Sequence, residues 1–134
     1  MKHVNHYIIM FVIMILSGLL STMNIWSDKY DDIRISLNDF YMILLMSGWM
    51  FLFMGIVYKD INIFIIGLLL VIVNIWCIRS QFLITENEFK KSMIPHHSMA
   101  VHMSKKLLEK QNNIETFLTN LIKTQENEII FMKQ

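Results

Sequence analysis

Three long stretches of this chain carry no charged side chain. Tyr7 to Trp26 is 20 residues, Phe40 to Tyr58 is 19, and Ile61 to Ile78 is 18. A span of the bilayer core needs about 20 predominantly apolar residues at 1.5 Å rise each. Backbone polar groups in lipid must be satisfied within the segment, so such stretches fold as helices. This pattern constrains the first eighty residues more than any other feature. Tyr7, Trp26, Tyr41, Tyr58 and Trp76 lie at or near the ends, as an interfacial aromatic belt would have them. Trp49 is mid-span and is expected to pack on a neighbouring helix. Asn62 and Asn74 lie inside or at the edge of the third stretch and read as amides that face another helix and hydrogen-bond there.

The connections differ. Ser27 to Asp39 is polar, with Asp28, Asp31, Asp32 and Asp39 against Lys29 and Arg34. Lys59 and Asp60 alone separate the second and third stretches, which demands a tight antiparallel turn. The first stretch also admits a second reading, a cleaved leader with Lys2 as its basic start. Its apolar run is long for a leader and no A-x-A site follows, so retention is expected. Lys29, Arg34, Arg79, Lys90 and Lys91 fall on one side of the membrane and Lys2 and Lys59 on the other. That count favours a cytoplasmic C-terminus by a small margin.

From Gln81 onward the pattern is amphipathic. Thr85 with Glu88 is a capping box that starts a helix. An apolar stripe follows through Phe89, Met93, His96, Ala100, Met103 and Leu107. Pro95 kinks this helix or begins a new one. Gln111, Asn112 and Asn113 break it, and a second helix carries Ile114, Leu118, Leu121, Ile122, Gln125, Ile129 and Met132 on one stripe. The expected fold is all-α. A unit at 1–80 has three transmembrane helices at about 7–26, 40–58 and 61–78, and an amphipathic helical hairpin occupies 81–134. Two helices of that size bury little alone, so packing on the membrane unit or on a second copy is expected.

The densest chemistry is at 93–103. On a helix His96 shares a face with Met93, Met99 and Met103, His97 lies beside it, and His102 projects to the solvent side. Gln125, Glu128 and Met132 recur at i, i+3 and i+7, and an antiparallel return brings them toward His96. Thioether sulfur with imidazole suits Cu(I) or Ag(I). Zinc fits less well, because no thiolate or carboxylate cluster accompanies the histidines. Ser92, Ser98 and Ser104 read as ordinary surface serines, so no nucleophile and base stand together and a non-enzymatic role is expected. The alternative is that the methionines are core filler and the histidines are satisfied polar residues at a kink. A net charge of +1 implies no nucleic-acid surface, and one cysteine excludes an internal disulfide framework.

Met93-Ile94-Pro95-His96-His97, with Ala100 and Met103 after it, resembles the signature of the domain of unknown function 305 family. Ile122, Gln125, Glu128, Ile129 and Met132 match the downstream I-x-x-Q-x-x-E-I-x-x-M pattern, and Phe89 fits the aromatic position upstream. Ser36-Leu37 and Tyr41-Met42 with Met46 and Met50 are similar to the second span of members that carry three spans before this domain. The resemblance implies a helical, exported domain, in some relatives linked to copper or silver. It implies Met93, His96, His97, Met103 and Met132 as ligands with Gln125 and Glu128 orienting them. It also places the hairpin outside the cytoplasm, against the basic-residue count, on a plasma or inner membrane.

Twelve methionines are present. Met42, Met46, Met50 and Met54 recur every four residues, a row about 18 Å long on a helix, and Met10 and Met14 form a shorter one. Packing explains such rows. The functional alternative is a thioether track for Cu(I), which requires the rows to face each other or a cavity. Cys77 reads as a buried, inert thiol. The expected function is binding of Cu(I) or Ag(I) for sequestration or transfer, with the bilayer, a second copy and a metal-handling protein as partners. The alternative is a membrane-anchored hairpin that oligomerises without metal.

Overall fold

The structure is a computed structural model that describes residues 2–134, with side chains from His6 onward. Lys2, the basic start of the leader alternative, therefore lies outside the described side chains. The described chain is all-helical: α1 Lys2–Leu20, α2 Leu37–Tyr58, α3 Ile61–Ser80, α4 Glu86–Leu108 and α5 Glu115–Met132. Two short 3-10 helices, Met23–Trp26 and Tyr30–Asp32, lie between α1 and α2. The segments His6–Trp26, Leu37–Tyr58 and Ile61–Ser80 are long and apolar enough to cross a membrane, with mean hydropathies of 2.2, 2.0 and 2.7. The first helix nevertheless stops at Leu20, short of the expected Trp26.

The chain divides into two compact units. Residues 2–21 and Leu37–Ile84 form the first; Thr22–Ser36 and Thr85–Gln134 form the second. The division expected after residue 80 treated the polar Ser27–Asp39 segment as a connector. Most of it instead belongs with α4 and α5, because its carboxylates find their partners there.

In the first unit α2 and α3 pack along their length, and glycine permits it. A Cβ at Gly67 would collide with the backbone of Leu52 and the Gly48 carbonyl, and one at Gly55 with the backbone of Phe64. Small residues let helix backbones approach where apolar side chains gain nothing over lipid. The turn between α2 and α3 is the two-residue one expected. Lys59 takes a left-handed φ of 54°, and the Asp60 carboxylate caps α3 by accepting from the Asn62 and Ile63 amides at 3.0 and 3.3 Å. α1 rests on α2 through Gly18 against Ile43 and a stacked Phe11–Phe51 pair at 5.8 Å.

Several polar and aromatic residues behave otherwise than expected. Asn74 is buried, but its amide donates to the Leu70 carbonyl of its own helix at 2.7 Å. Asn62 is exposed. Trp49 is exposed and stacks on Phe53 of its own helix at 5.9 Å. Tyr41, near the start of α2, is buried, and its hydroxyl donates to the Phe82 carbonyl at 2.7 Å, tying down the turn after α3. Cys77 is buried. Met42 and Met46 face outward, whereas Met50 and Met54 are half-buried, as are Met10 and Met14. A four-residue step advances about 40° beyond a full turn, so the row winds off one face.

Candidate functional site at the Met-Ile-Pro-His-His turn

α4 begins as its sequence dictates. Thr85 is the N-cap, and its hydroxyl accepts from the Glu88 amide at 3.3 Å. Glu86–Lys90 and Glu88–Lys91 pairs at 2.9 and 2.8 Å support the first turns. The helix runs unbroken through Pro95, so Pro95 does not start a new one. After Leu108 the Asn112 side chain accepts from the Ile114 amide at 3.1 Å, and α5 starts at Glu115.

The face that α4 buries is not the stripe its apolar residues suggest. Ile94, Pro95, Ser98, Val101 and Ser104 are buried. On the expected stripe, Phe89 is 50% and Met103 51% exposed, and Leu107 is exposed too. Ser98 is the centre of the buried face and is wholly inaccessible. Its hydroxyl donates to the Asp32 carboxylate at 2.6 Å and accepts from the Asp28 amide at 2.8 Å. Ser98 and Ser104 are thus not surface serines. On α5, by contrast, the buried Leu118 and Ile129 and the half-buried Leu121, Ile122, Gln125 and Met132 lie on the expected stripe.

The segment that covers α4 is held by charge. Asn24 pairs with the Arg34 backbone in both directions at 2.7 and 2.9 Å and closes the loop. Lys105 bridges Asp28 at 2.8 Å and Glu126 of α5 at 3.0 Å. The hydrogen bond it donates to Asp28 is the main reason its ammonium is held above the ordinary lysine value, against the pull of partial burial. Lys133 pairs with Asp31 and, at 2.7 Å, with Asp32, which is only 2% exposed. Burial pulls Lys133 down, but the two carboxylates outweigh it and raise it. Lys133 in turn holds Asp31 below the usual carboxylate range. His102 sits 3.9 Å from Asp28, so it faces this segment rather than open solvent.

The expected ligands are placed as follows. His97 is 14% exposed, and its Nδ1 is buried without a hydrogen-bond partner among the described residues. Glu128 Oε2 approaches that nitrogen to 3.6 Å, beyond hydrogen-bond length. Burial pushes the imidazole below the ordinary histidine value, Glu128 opposes this, and His96 adds to it. The two histidine rings lie edge to face, 6.0 Å apart. The structure therefore brings Glu128 to His97, with His96 as that histidine's ring neighbour. His96 and Glu128 are exposed, Met93, Gln125 and Met132 half-buried, and Met103 points outward. No group of three His, Cys, Asp or Glu suited to a metal occurs among the described residues. A metal at this turn would draw on thioethers. The sequence reading gave no site role to Ser98, Asp28 or Asp32 and left Lys105 and Lys133 unremarked. The one available signal was the density of carboxylates in a short connector.

The family model for a domain of unknown function (DUF305) matches residues 81–134. Over 129 residues the chain is 40% identical to "Uncharacterized protein L153" of Acanthamoeba polyphaga mimivirus, an alignment covering 91% of this chain and 85% of the relative. No solved structure matches. The likeness runs through both units and not only the tail, and the chain belongs to the same family as that mimivirus protein, with a DUF305 domain at its C-terminal end.

Proposed function

We propose that this is an integral membrane protein whose C-terminal unit binds Cu(I) or Ag(I) for sequestration or transfer. The observation that carries this reading is His97. Its burial favours the neutral imidazole, its Nδ1 is unused, and His96 is its neighbour. Met93, Met103 and Met132 supply the soft sulfur such an ion prefers, with Gln125 and Glu128 orienting the ligands. Apolar outer faces support membrane insertion: Ile9, Val12, Leu16, Leu69 and Ile72 are all exposed. With three crossings, the α1–α2 segment and the tail emerge on one side, as their folding into one unit requires. We place that side outside the cytoplasm; a reporter fused after Gln134 reads it directly. Titration of the full-length protein with Cu(I) tests the site. The His96→Ala/His97→Ala variant should bind at least about tenfold more weakly, equivalent to about 1.4 kcal/mol. Equal binding by both proteins would sink the assignment.

A second reading is favoured by the outward stripe of Phe89, Met103 and Leu107. Large apolar side chains exposed along one helix face can form an interaction site. On this reading the C-terminal unit is a non-metal interaction module that pairs with a second copy. Met103→Lys should then shift the protein toward the monomer in analytical ultracentrifugation, with metal-free samples behaving the same way.

A further inference from the structure

The first unit contains a feature that metal binding does not use. α1 packs on α2, and an apolar groove of about 600 Å³ opens along α1 and α3. Ile8, Phe11, Phe51, Ile63, Ile66 and Leu70 line it. From Asn62 to Leu70 it follows eight helical steps, about 12 Å. One end of the groove is polar. There Tyr7 and Asp60 are shared with a second cavity of about 600 Å³, whose other walls are His6, Met54 and Tyr58. The Tyr7 hydroxyl donates to one Asp60 oxygen at 3.4 Å, and the other oxygen caps α3. Asp60 has no ion-pair partner among the described residues, although it is a carboxylate at the end of an apolar groove.

An occupant must be apolar along most of its length and cationic at one end. Aromatic rings beside a carboxylate favour an ammonium, which gains from both ring faces and charge. We propose that this unit holds one zwitterionic phospholipid, its ammonium head group in the His6, Tyr7, Tyr58 and Asp60 cup and an acyl chain in the groove. The proposal rests on the membrane-spanning reading and is independent of metal.

The test is reconstitution of the full-length protein into nanodiscs of equal phosphatidylcholine and phosphatidylglycerol. The protein is then transferred to mild detergent and its retained lipids are counted by native mass spectrometry. Wild type should retain the choline lipid over the glycerol lipid by roughly tenfold. Asp60→Asn keeps an oxygen for the α3 cap and should bring the two lipids near parity. Ile66→Trp should fill the groove and lower retention of both. Wild type without preference, Asp60→Asn with the preference intact, or a lipid-free dimer would each overturn the proposal. Failure to co-migrate with the discs at all would overturn the spanning reading as well, whereas insertion without preference would overturn only the lipid site.

Discussion

The two units of this chain hold their helices together by opposite means. In the first, α2 and α3 meet through Gly48, Gly55 and Gly67, and at Gly55 and Gly67 the contact is backbone against backbone. In the second, α4 has a polar centre: Ser98 grips Asp32 and Asp28, and Lys105 and Lys133 tie three acidic residues of the α1–α2 segment to α4 and α5. On the proposed membrane-spanning reading, the difference follows from solvent. Where lipid surrounds a helix, apolar side chains gain little by leaving it, so close approach of small residues decides packing. Where water surrounds it, burial of apolar area is favourable, but a buried carboxylate must be matched by donors. The first unit should therefore respond to volume and the second to charge and pH.

The largest expected effect is Gly67→Leu. The new side chain meets the Leu52 backbone, which cannot move aside as a flexible side chain would. Overpacking of this kind should cost about 3 kcal/mol or more, read as a lowered melting temperature in detergent. The proposed binding of Cu(I) by the second unit should persist. Joint loss of both would show that the units do not respond separately.

Next comes Ser98→Ala. It adds no volume and removes the donor to a buried Asp32 oxygen, which should destabilise the second unit by about 1–3 kcal/mol. Trp26 belongs to this unit, so its fluorescence in a Trp49→Phe/Trp76→Phe background reports the loss. An unchanged denaturation midpoint would remove the polar centre from the account.

A smaller effect concerns pH. His97 is depressed in the folded protein, so the folded form binds its proton less readily than the unfolded chain. Its contribution is full above the ordinary value near 6.5 and is lost as pH falls through the folded value. Asp31 follows the same sign below its ordinary value of 3.8. Lys105 and Lys133 are raised, and their contribution is present below 10.5 and lost as pH rises through the folded values. The Trp26 signal should thus fall at both extremes while α2–α3 packing does not. Equal sensitivity in both units would break the comparison.

The smallest effect is Met46→Leu/Met50→Leu. These swaps keep volume and should cost less than about 1.5 kcal/mol. Copper uptake left unchanged by this pair would eliminate the thioether track, in line with the outward placement of Met46.

Much of this fold was legible in the residues. The three apolar segments, the Lys59–Asp60 turn, the Thr85 cap, the break at 111–113 and the α5 stripe all appear where local pattern put them. Each depends on neighbours within a few residues, which a sequence displays. Glu128 stands 3.6 Å from His97 in the structure. The buried face of α4 was not legible. Phe89, Met103 and Leu107 made the more apolar stripe, yet Ile94, Ser98 and Val101 went inside.

The sequence by itself determined the helices and the two chemical neighbourhoods, one greasy and one rich in Met, His and charge. Hydropathy and capping act over one or two turns, and they suffice for that. Only the tertiary structure decided that Thr22–Ser36 completes the C-terminal unit, and so which side of α4 is its inside. A serine is a good core residue only when a carboxylate from 66 positions away arrives to accept its proton. That pairing is a long-range electrostatic match, and no periodicity in one helix records it.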